Sequence, residues 1–326
     1  KLLFLFLLTI GYSSCNFLDI VPDEITTEAD AFKDRNAAKN FVYSCYGYLP
    51  QSNVASGSLD LLTGDEVITA FEHETFASFP KGNYTASSPV ISYWNTFFQG
   101  LRQCYIFLEN VDKVPDLTES VKTDYIAQVK FLIAYYHYQL ARCYGPIILI
   151  KELPDVNASQ AEYLPRTSYD ECVDWICNLL DEAASSLPAI RTNKEDYGLA
   201  TSVGAKAVKA KMLLYAASPL FNGNSSFYSN FTDKSGSQLM PLTYDPNKWV
   251  KAKTAIKEAI DLAEQNGHAL YVKQDYKIGN EDANPYPAAG PVRCLRTSLV
   301  DWDSRNPEVL LAETRSEGSY GIQNKW

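Results

Sequence analysis

Apolar side chains recur at steps of three and four along most of the chain, which is the spacing of one face of an α-helix. The clearest run predicts a helix from about residue 119 to residue 144, and Gly145-Pro146 ends it because proline cannot continue a helix. Its predicted inner face consists of Tyr125, Val129, Leu132, Tyr136 and Leu140.

Two helices are predicted before this one. The first runs from about residue 29 to residue 49 and ends at Pro50, with an inner stripe formed by Phe41, Cys45 and either Tyr48 or Leu49. The second runs from about residue 93 to residue 114, and its inner face consists of Trp94, Phe98, Leu101, Tyr105 and Leu108.

Three more helices follow. Ser168 and Glu171 have the spacing of a capping box, which predicts a helix start there and an end near Leu187. A helix rich in small residues begins at Thr201 or Ser202 and ends before Pro219. Small residues on its surface let a neighbouring helix pack closely. The last helix follows Asp245-Pro246 and ends at about residue 266, with an inner face of Trp249, Ala252, Ile256, Ala259 and Ala263.

The predicted fold is therefore mainly α, a tetratricopeptide-like scaffold of helix pairs in which one helix is alanine-rich and the other aromatic-rich. Long irregular loops are predicted at 51–92, at 220–244 and from 268 onward. Loops of this length are usually functional. Short strands are also expected: residues 147–150 form an extended apolar run, and residues 308–311 suggest a strand.

The first residues have the composition of a secretory leader. A charged Lys1 precedes the apolar run 2–10, and small residues lead to Cys15, which resembles a bacterial lipobox. We therefore expect a signal peptide over 1–14 and a lipidated tether over 15–28, anchored to outer-membrane lipid through Cys15. A plain secreted protein in which Cys15 is incidental is the alternative.

Composition and charge limit the possible partners. The chain of 326 residues has a net charge of −10 and 22 tyrosines. An acidic balance argues against nucleic acid and against electrostatic binding to anionic lipid. Tyrosine has an apolar face and a polar tip, so a tyrosine-rich surface suits ligands that are partly hydroxylated. The cysteines within the helical patterns are expected to be buried thiols, although export would permit disulfides.

Catalytic signatures are scarce, so we expect no enzyme, no metal site and no cofactor. His73 lies in Glu72-His73-Glu74, which lacks the HExxH spacing, and His137 lies in an aromatic helix. Asp301 and Asp303 resemble a glycosidase pair only in composition, because adjacent loop acids are usually solvated. A glycoside hydrolase on a helical scaffold is nevertheless kept as a hypothesis.

An ordered set of short motifs runs through the chain. They are Cys15-Asn16-Phe17-Leu18-Asp19, Gly64-Asp65-Glu66, Trp94 through Val111, Lys130 through Ile147, Pro165-Arg166-Thr167-Ser168, Ala205-Lys206-Ala207 and Pro307-Glu308-Val309-Leu310. In this order the set resembles the SusD/RagB family of outer-membrane nutrient-binding lipoproteins. Phe98 replaces the tyrosine that is usual in the family.

The resemblance implies a function and a location. It implies a lipid-anchored protein on the outer-membrane cell surface that binds glycans and delivers them to a SusC-like TonB-dependent transporter. Family members are longer, so it also implies that 29–267 is the N-terminal helical region and that 268–326 begins a truncated C-terminal region. The alternatives are a structural lid of the transporter, or a binder of peptides or other polymers, with little glycan affinity of its own.

The family's ligand site lies in loops, where an aromatic platform meets polar side chains. The loop from about 65 to 95 offers such groups, and so does the late loop. The candidate ligand-binding residues are Asp65, Glu66, Phe71, Phe76, Tyr84, Asn95, Tyr276, Tyr286, Trp302 and Tyr320. Each of them has a structural alternative, since acids also brace loops and aromatics also cover a core. Trp94 is expected to be part of the core.

Overall fold

The computed structural model describes residues 28–50, 75–155, 157, 164–272, 291–298, 306–312 and 314. The α-helices in these ranges are α1 Glu28–Ala31, α2 Arg35–Tyr46, α3 Trp94–Asn110, α4 Glu119–Tyr144, α5 Tyr169–Ser186, α6 Ser202–Ala217, α7 Ser225–Tyr228, α8 Asn247–Gln265 and α9 Pro291–Ser298. Short 3₁₀ helices lie at Thr75–Ser78, Val111–Lys113 and Lys194–Asp196.

Each long helix packs on the next long helix in the chain. The successive partners are α3 with α4, α4 with α5, α5 with α6, and α6 with α8, while α2 contacts both α3 and α4. This arrangement follows from the amphipathic pattern, because each helix has an apolar face that only a neighbour can cover. The prediction of a mainly α scaffold of successive helices is confirmed.

Small side chains form the buried centre of the contact between α6 and α8, and Leu213 and Ile256 pack beside them. Ala210 on α6 packs against Ala255 and Ala259 on α8, and all three are buried. The predicted close packing of the small-residue helix is therefore confirmed. The predicted inner face of α8 is wrong at Trp249, which is 42% exposed, because the buried face of α8 runs through its alanines instead.

Helix α4 has the predicted bounds and contacts α2, α3, α5 and α6. Between Phe131 and Ala141 nearly every residue is buried, because α3 and α5 both pack on this helix. The helix ends at Gly145, which has φ +70° and ψ −126°. Only glycine adopts this conformation without a steric penalty, so the turn after α4 requires it.

The predicted first helix is divided in two. Asp34 lies between α1 and α2 and caps α2, because its carboxylate accepts a hydrogen bond from the Ala37 N–H at 2.8 Å. The Arg35 N–H donates to Asp116 Oδ1 at 2.7 Å, which satisfies another of the N-terminal donors. Position 34 is therefore a helix start, which the apolar spacing alone did not indicate.

The buried face of α3 is rotated from the predicted one. The fully buried residues are Phe97, Gly100, Leu101, Cys104, Tyr105, Phe107 and Asn110. Trp94, Phe98 and Leu108 are only half-buried at the edge of the core. The helix is apolar over a broad arc, so two overlapping stripes fit its sequence.

The predicted strands are wrong within the described residues, whose sole β-bridge joins Thr232 and Gln238. Residues 308–311 form turns and bends, since the Glu308 N–H donates to the Asn306 side chain. Residues 147–150 have no strand partner, and their backbone groups pair singly: the Ile147 carbonyl accepts from the Thr167 N–H at 2.7 Å. The Ile150 N–H donates to the His137 ring, and the Ile150 carbonyl accepts from the Tyr105 hydroxyl.

The predicted capping box at the start of α5 is also wrong. Ser168 is the N-cap residue, but its side chain accepts no capping hydrogen bond. The Tyr169 N–H donates instead to the Leu239 carbonyl at 2.9 Å, so a distant loop satisfies the helix start. At α6 the predicted start is confirmed, because the helix begins at Ser202 and the Thr201 hydroxyl caps it by accepting from the Gly204 N–H.

The described cysteines form no disulfide with one another. Cys45, Cys104, Cys172 and Cys177 are buried, as the helical pattern predicts. Cys143 and Cys294 are half-buried. None of the helices in the described ranges is long and apolar enough to cross a bilayer.

Candidate functional site

Most of the predicted ligand-binding residues lie outside the described residues. These are Asp65, Glu66, Phe71, Tyr276, Tyr286, Trp302 and Tyr320. The predicted lipidation site Cys15 and the predicted leader also lie outside them. Phe76 is described only as a backbone position in the 3₁₀ helix Thr75–Ser78. The predictions that the structure can address are therefore Tyr84 and Asn95.

Tyr84 lies on a loop that is held by hydrogen bonds within its own backbone. The Asn83 N–H donates to the Ser78 carbonyl, and Thr85 and Ser88 exchange backbone hydrogen bonds. The Tyr84 ring leans against Phe79, with ring centroids 5.4 Å apart, yet 53% of Tyr84 remains exposed. One aromatic therefore supports the other and leaves much of Tyr84 facing solvent.

Asn95 is the second residue of α3 and is exposed. Within the described ranges, no hydrogen bond or ring contact joins Asn95 to Tyr84. The residue that lies beside Asn95, Trp94, was expected in the core. It is half-buried, and its indole lies over the core edge next to Phe98, with ring centroids 4.9 Å apart.

Trp94 is the centre of a cluster that we call the Trp94 platform, formed by Tyr93, Trp94, Tyr144 and Arg166. Tyr144 meets the Trp94 ring edge-on, with centroids 5.2 Å apart and an interplanar angle of 88°. The Arg166 guanidinium lies 5.4 Å from the centroid of the Trp94 ring. These are favourable aromatic and cation–π geometries.

Hydrogen bonds hold the platform in place. The Tyr144 hydroxyl accepts from the Tyr93 N–H at 2.9 Å, which ties the end of α4 to the start of α3. Arg166 Nη1 donates to the Tyr144 carbonyl at 3.2 Å and to the Pro146 carbonyl at 2.9 Å. Arg166 is exposed, and Nη1 carries all its hydrogen bonds to described residues.

The platform combines the groups that a hydroxylated ligand requires. Aromatic surface covers the C–H face of a sugar ring, while guanidinium and amide groups donate hydrogen bonds to hydroxyls. Trp94, Arg166 and the exposed Asn95 supply all three at the beginning of α3. Arg166 and Tyr144 were not predicted as site residues, because Arg166 is far from Trp94 in sequence and no local pattern links them.

Burial holds three titratable side chains of the described core in their neutral forms. Burial raises the pKa of Cys172 to about 11 and that of Cys177 to about 12, so both are protonated thiols at neutral pH. Burial lowers the pKa of His137 to about 4, so its ring is neutral. Among the described residues, no group of three His, Cys, Asp or Glu side chains is placed to hold a metal ion.

Comparison with known proteins gives a consistent result. A SusD-like family model, described as "Starch-binding associating with outer membrane", matches residues 16–214. SusD-like protein P25 of Formosa agariphila is 22% identical over 224 residues, which cover 65% of this chain and 42% of that protein.

Solved structures share the fold. BT4246 is 35% identical with a TM-score of 0.68, and the match covers 75% of this chain and 42% of that chain. A SusD-like protein of Bacteroides fragilis (BF3747) is 20% identical with a TM-score of 0.64, covering 92% of this chain and 48% of that chain. At that identity the likeness shows the fold alone.

The chain spans less than half of the length of each of these relatives. The family match and these relatives confirm the predicted resemblance. Because the family model covers more than half of the chain, the protein belongs to the SusD-like family.

Proposed function

We propose that the chain is part of a cell-surface lipoprotein that binds glycans and delivers them to a TonB-dependent outer-membrane transporter. The observation that carries the proposal is the family match over residues 16–214, whose description names starch binding and the outer membrane. Cys15 would hold the protein at the membrane through its acyl chains, since two or more chains give stable anchoring.

Within the described residues, the Trp94 platform is our first choice for the glycan contact. It is a rigid aromatic surface with an exposed arginine above it and an exposed asparagine beside it. Tyr84, which is exposed on the preceding loop, is the second choice. The remaining candidates from the sequence stay predictions: Asp65, Glu66, Phe71, Phe76, Tyr276, Tyr286, Trp302 and Tyr320.

Affinity electrophoresis against a panel of polysaccharides that includes starch tests the proposal. The soluble protein without its leader should be retarded by at least one glycan. Arg166→Ala and Tyr84→Ala change exposed side chains, so both variants should fold. At least one should weaken retardation about tenfold, which corresponds to about 1.4 kcal/mol of binding free energy.

Phe227→Ala is the matched control, because Phe227 is a 74% exposed aromatic on α7 and belongs to neither candidate surface. It should migrate like the wild type on every glycan. Unretarded migration of the wild-type protein on the whole panel would contradict glycan binding. Release of reducing sugar would instead favour the hydrolase hypothesis.

A further inference from the structure

The described residues enclose a second surface feature far from the Trp94 platform. It is a pocket of about 300 Å³ between α2, the beginning of α4 and the segment that precedes α6. We call it the Tyr43 pocket, and its polar and aromatic lining is Lys39, Tyr43, Ser120, Asp124, Tyr125, Gln128, Arg191 and Asp196. Ligand pockets in proteins occupy roughly 300–1,000 Å³, so this one has the size for a small ligand.

The floor of the Tyr43 pocket is a fixed polar network. Arg191 forms a bidentate pair with Asp124, with N–O distances of 2.8 and 2.9 Å. Gln128, which is buried, donates to the same carboxylate at 2.8 Å and accepts from the Tyr46 hydroxyl. Arg191 also donates to the Ala200 carbonyl at 2.8 Å, which holds the loop before α6 against α4.

This network makes the floor rigid. Bidentate arginine–carboxylate pairs are strong and directional, and here the guanidinium is only 11% exposed. The Ala200 N–H donates to the Tyr46 hydroxyl at 2.8 Å, so the chain of hydrogen bonds is closed on itself. Because the floor groups already have partners in the protein, the walls are left to contact a ligand.

The walls and rim of the pocket are formed by the lining residues that do not belong to the floor network. Tyr43 is 37% exposed, and Tyr125 lines the pocket from α4. The Lys39 ammonium lies 5.4 Å from the centroid of the Tyr43 ring, within the range of a cation–π contact. The contact with Tyr43 raises the pKa of Lys39, and Asp196 acts in the same direction, so Lys39 is charged.

The charges that face the pocket balance. Lys39 and Arg191 are cations, while Asp124 and Asp196 are carboxylates. The formal charges of the lining sum to zero, and Arg191 and Asp124 already neutralise each other as a pair, so the lining carries no net charge that would select an anion or a cation. The aromatic walls favour a ligand with apolar surface, and the ammonium, hydroxyl and carboxylate at the rim favour one with many hydroxyls.

We propose that the Tyr43 pocket is a binding site for one neutral pyranose residue, held between Tyr43 and Tyr125 with its hydroxyls on Lys39, Ser120 and Asp196. The pocket is distinct from the Trp94 platform. Tyr125 and Tyr144 lie 19 positions apart on α4, so at 1.5 Å per residue the two sites are separated by roughly 30 Å.

The proposal rests on the residues that line the pocket, and it does not depend on whether the platform binds a sugar. The experiment is saturation-transfer NMR and calorimetry on the soluble protein. The probes are the methyl glycosides of glucose, galactose, mannose and xylose, with glucuronate and glucosamine as charged counterparts. At least one neutral glycoside should bind, with saturation transferred to its ring protons.

Tyr43→Ala removes an exposed ring without opening the core, so it should fold and lose at least tenfold in affinity. Asp196→Asn removes one rim carboxylate and should weaken binding as well. The matched control is Phe227→Ala, which removes a 74% exposed aromatic that belongs to neither the pocket nor the platform and should bind the monosaccharides like the wild type. A loss of affinity in Tyr43→Ala that Phe227→Ala does not share assigns the ligand to the pocket.

Three outcomes would overturn the proposal. The first is that no neutral glycoside of the panel binds at millimolar concentration. The second is that Tyr43→Ala and Asp196→Asn both keep wild-type affinity, which would place the ligand elsewhere. The third is that glucuronate or glucosamine binds at least tenfold more tightly than every neutral glycoside. That result would show that the pocket prefers a charged sugar.

Discussion

His137 should make the stability of the fold depend on pH between about 4 and 6.5. The ring is fully buried within α4, where Nδ1 donates to the Ile133 carbonyl at 2.8 Å and Nε2 accepts from the Ile150 N–H at 3.1 Å. Trp175 meets the ring edge-on at 4.8 Å. A second proton on Nε2 would face another donor inside the core, so the folded state holds the neutral ring.

The magnitude follows from the shift in the pKa. Burial lowers the pKa of His137 from 6.5 to about 4. At about 1.4 kcal/mol per unit, that interval corresponds to roughly 3 kcal/mol of unfolding free energy. Between these two values the unfolded state binds more protons than the folded state, so stability rises with pH. The contribution is fully present above about 6.5 and is lost as the pH falls to about 4.

The measurement is urea denaturation at a series of pH values, followed by far-UV circular dichroism, for the wild type and for His137→Asn. Carboxylates also titrate in this window, but they do so in both proteins. Their contribution therefore cancels when the unfolding free energy of the variant is subtracted from that of the wild type. That difference should fall by roughly 3 kcal/mol from pH 7 to pH 4. An NMR titration of the His137 ring gives the folded-state pKa directly.

A difference between wild type and variant that stays constant over this pH range would refute the reasoning. A folded-state pKa near 6.5 would refute it as well, because it would mean that water or an acid reaches the ring. If the shorter amide side chain of the His137→Asn variant does not reach the Ile150 N–H, the variant is less stable at every pH, and this constant offset leaves the slope interpretable.

Two further changes probe the scaffold. Ala210→Leu should lower the unfolding free energy by about 1–3 kcal/mol in urea denaturation, since the larger side chain has no room against Ala255 and Ala259. The control Lys211→Leu, on the exposed side of the same helix, should stay within about 0.5 kcal/mol of the wild type. Equal effects of the two substitutions would contradict the close packing. Gly145→Ala should lower the melting temperature measured by calorimetry, because a residue with a Cβ is strained by about 1–3 kcal/mol at φ +70°. An unchanged melting temperature would contradict the conformation described for this turn.

The sequence predicts α4 well because its signals are local and agree with one another. Its apolar spacing is sustained over 26 residues, and Gly145-Pro146 ends it. It predicts the face of α3 less well, since apolar side chains on that helix cover both the core and the platform. Trp94 belongs to the second set, because its partners are Tyr144 and Arg166.

What the sequence could not predict depends on contacts between distant segments. The Arg166 contact with Trp94 and the Arg191 pair with Asp124 each join residues from separate elements. Local spacing carries no information about such pairs, whereas capping by Asp34 was visible in principle as an acidic residue before a helix. Tyr84 is a candidate because binding groups concentrate in loops, and its role as a ligand contact stays a prediction.

The length of α4 has a consequence for the size of the ligand. If the Trp94 platform and the Tyr43 pocket both take sugar residues, a short oligosaccharide can occupy one of them at a time. A polymer long enough to span roughly 30 Å can occupy both. Its second contact then forms at an effective concentration set by the stretch of polymer between the two sites rather than by the concentration in solution. The fixed length of α4 would thereby make the protein bind long chains more tightly than their fragments.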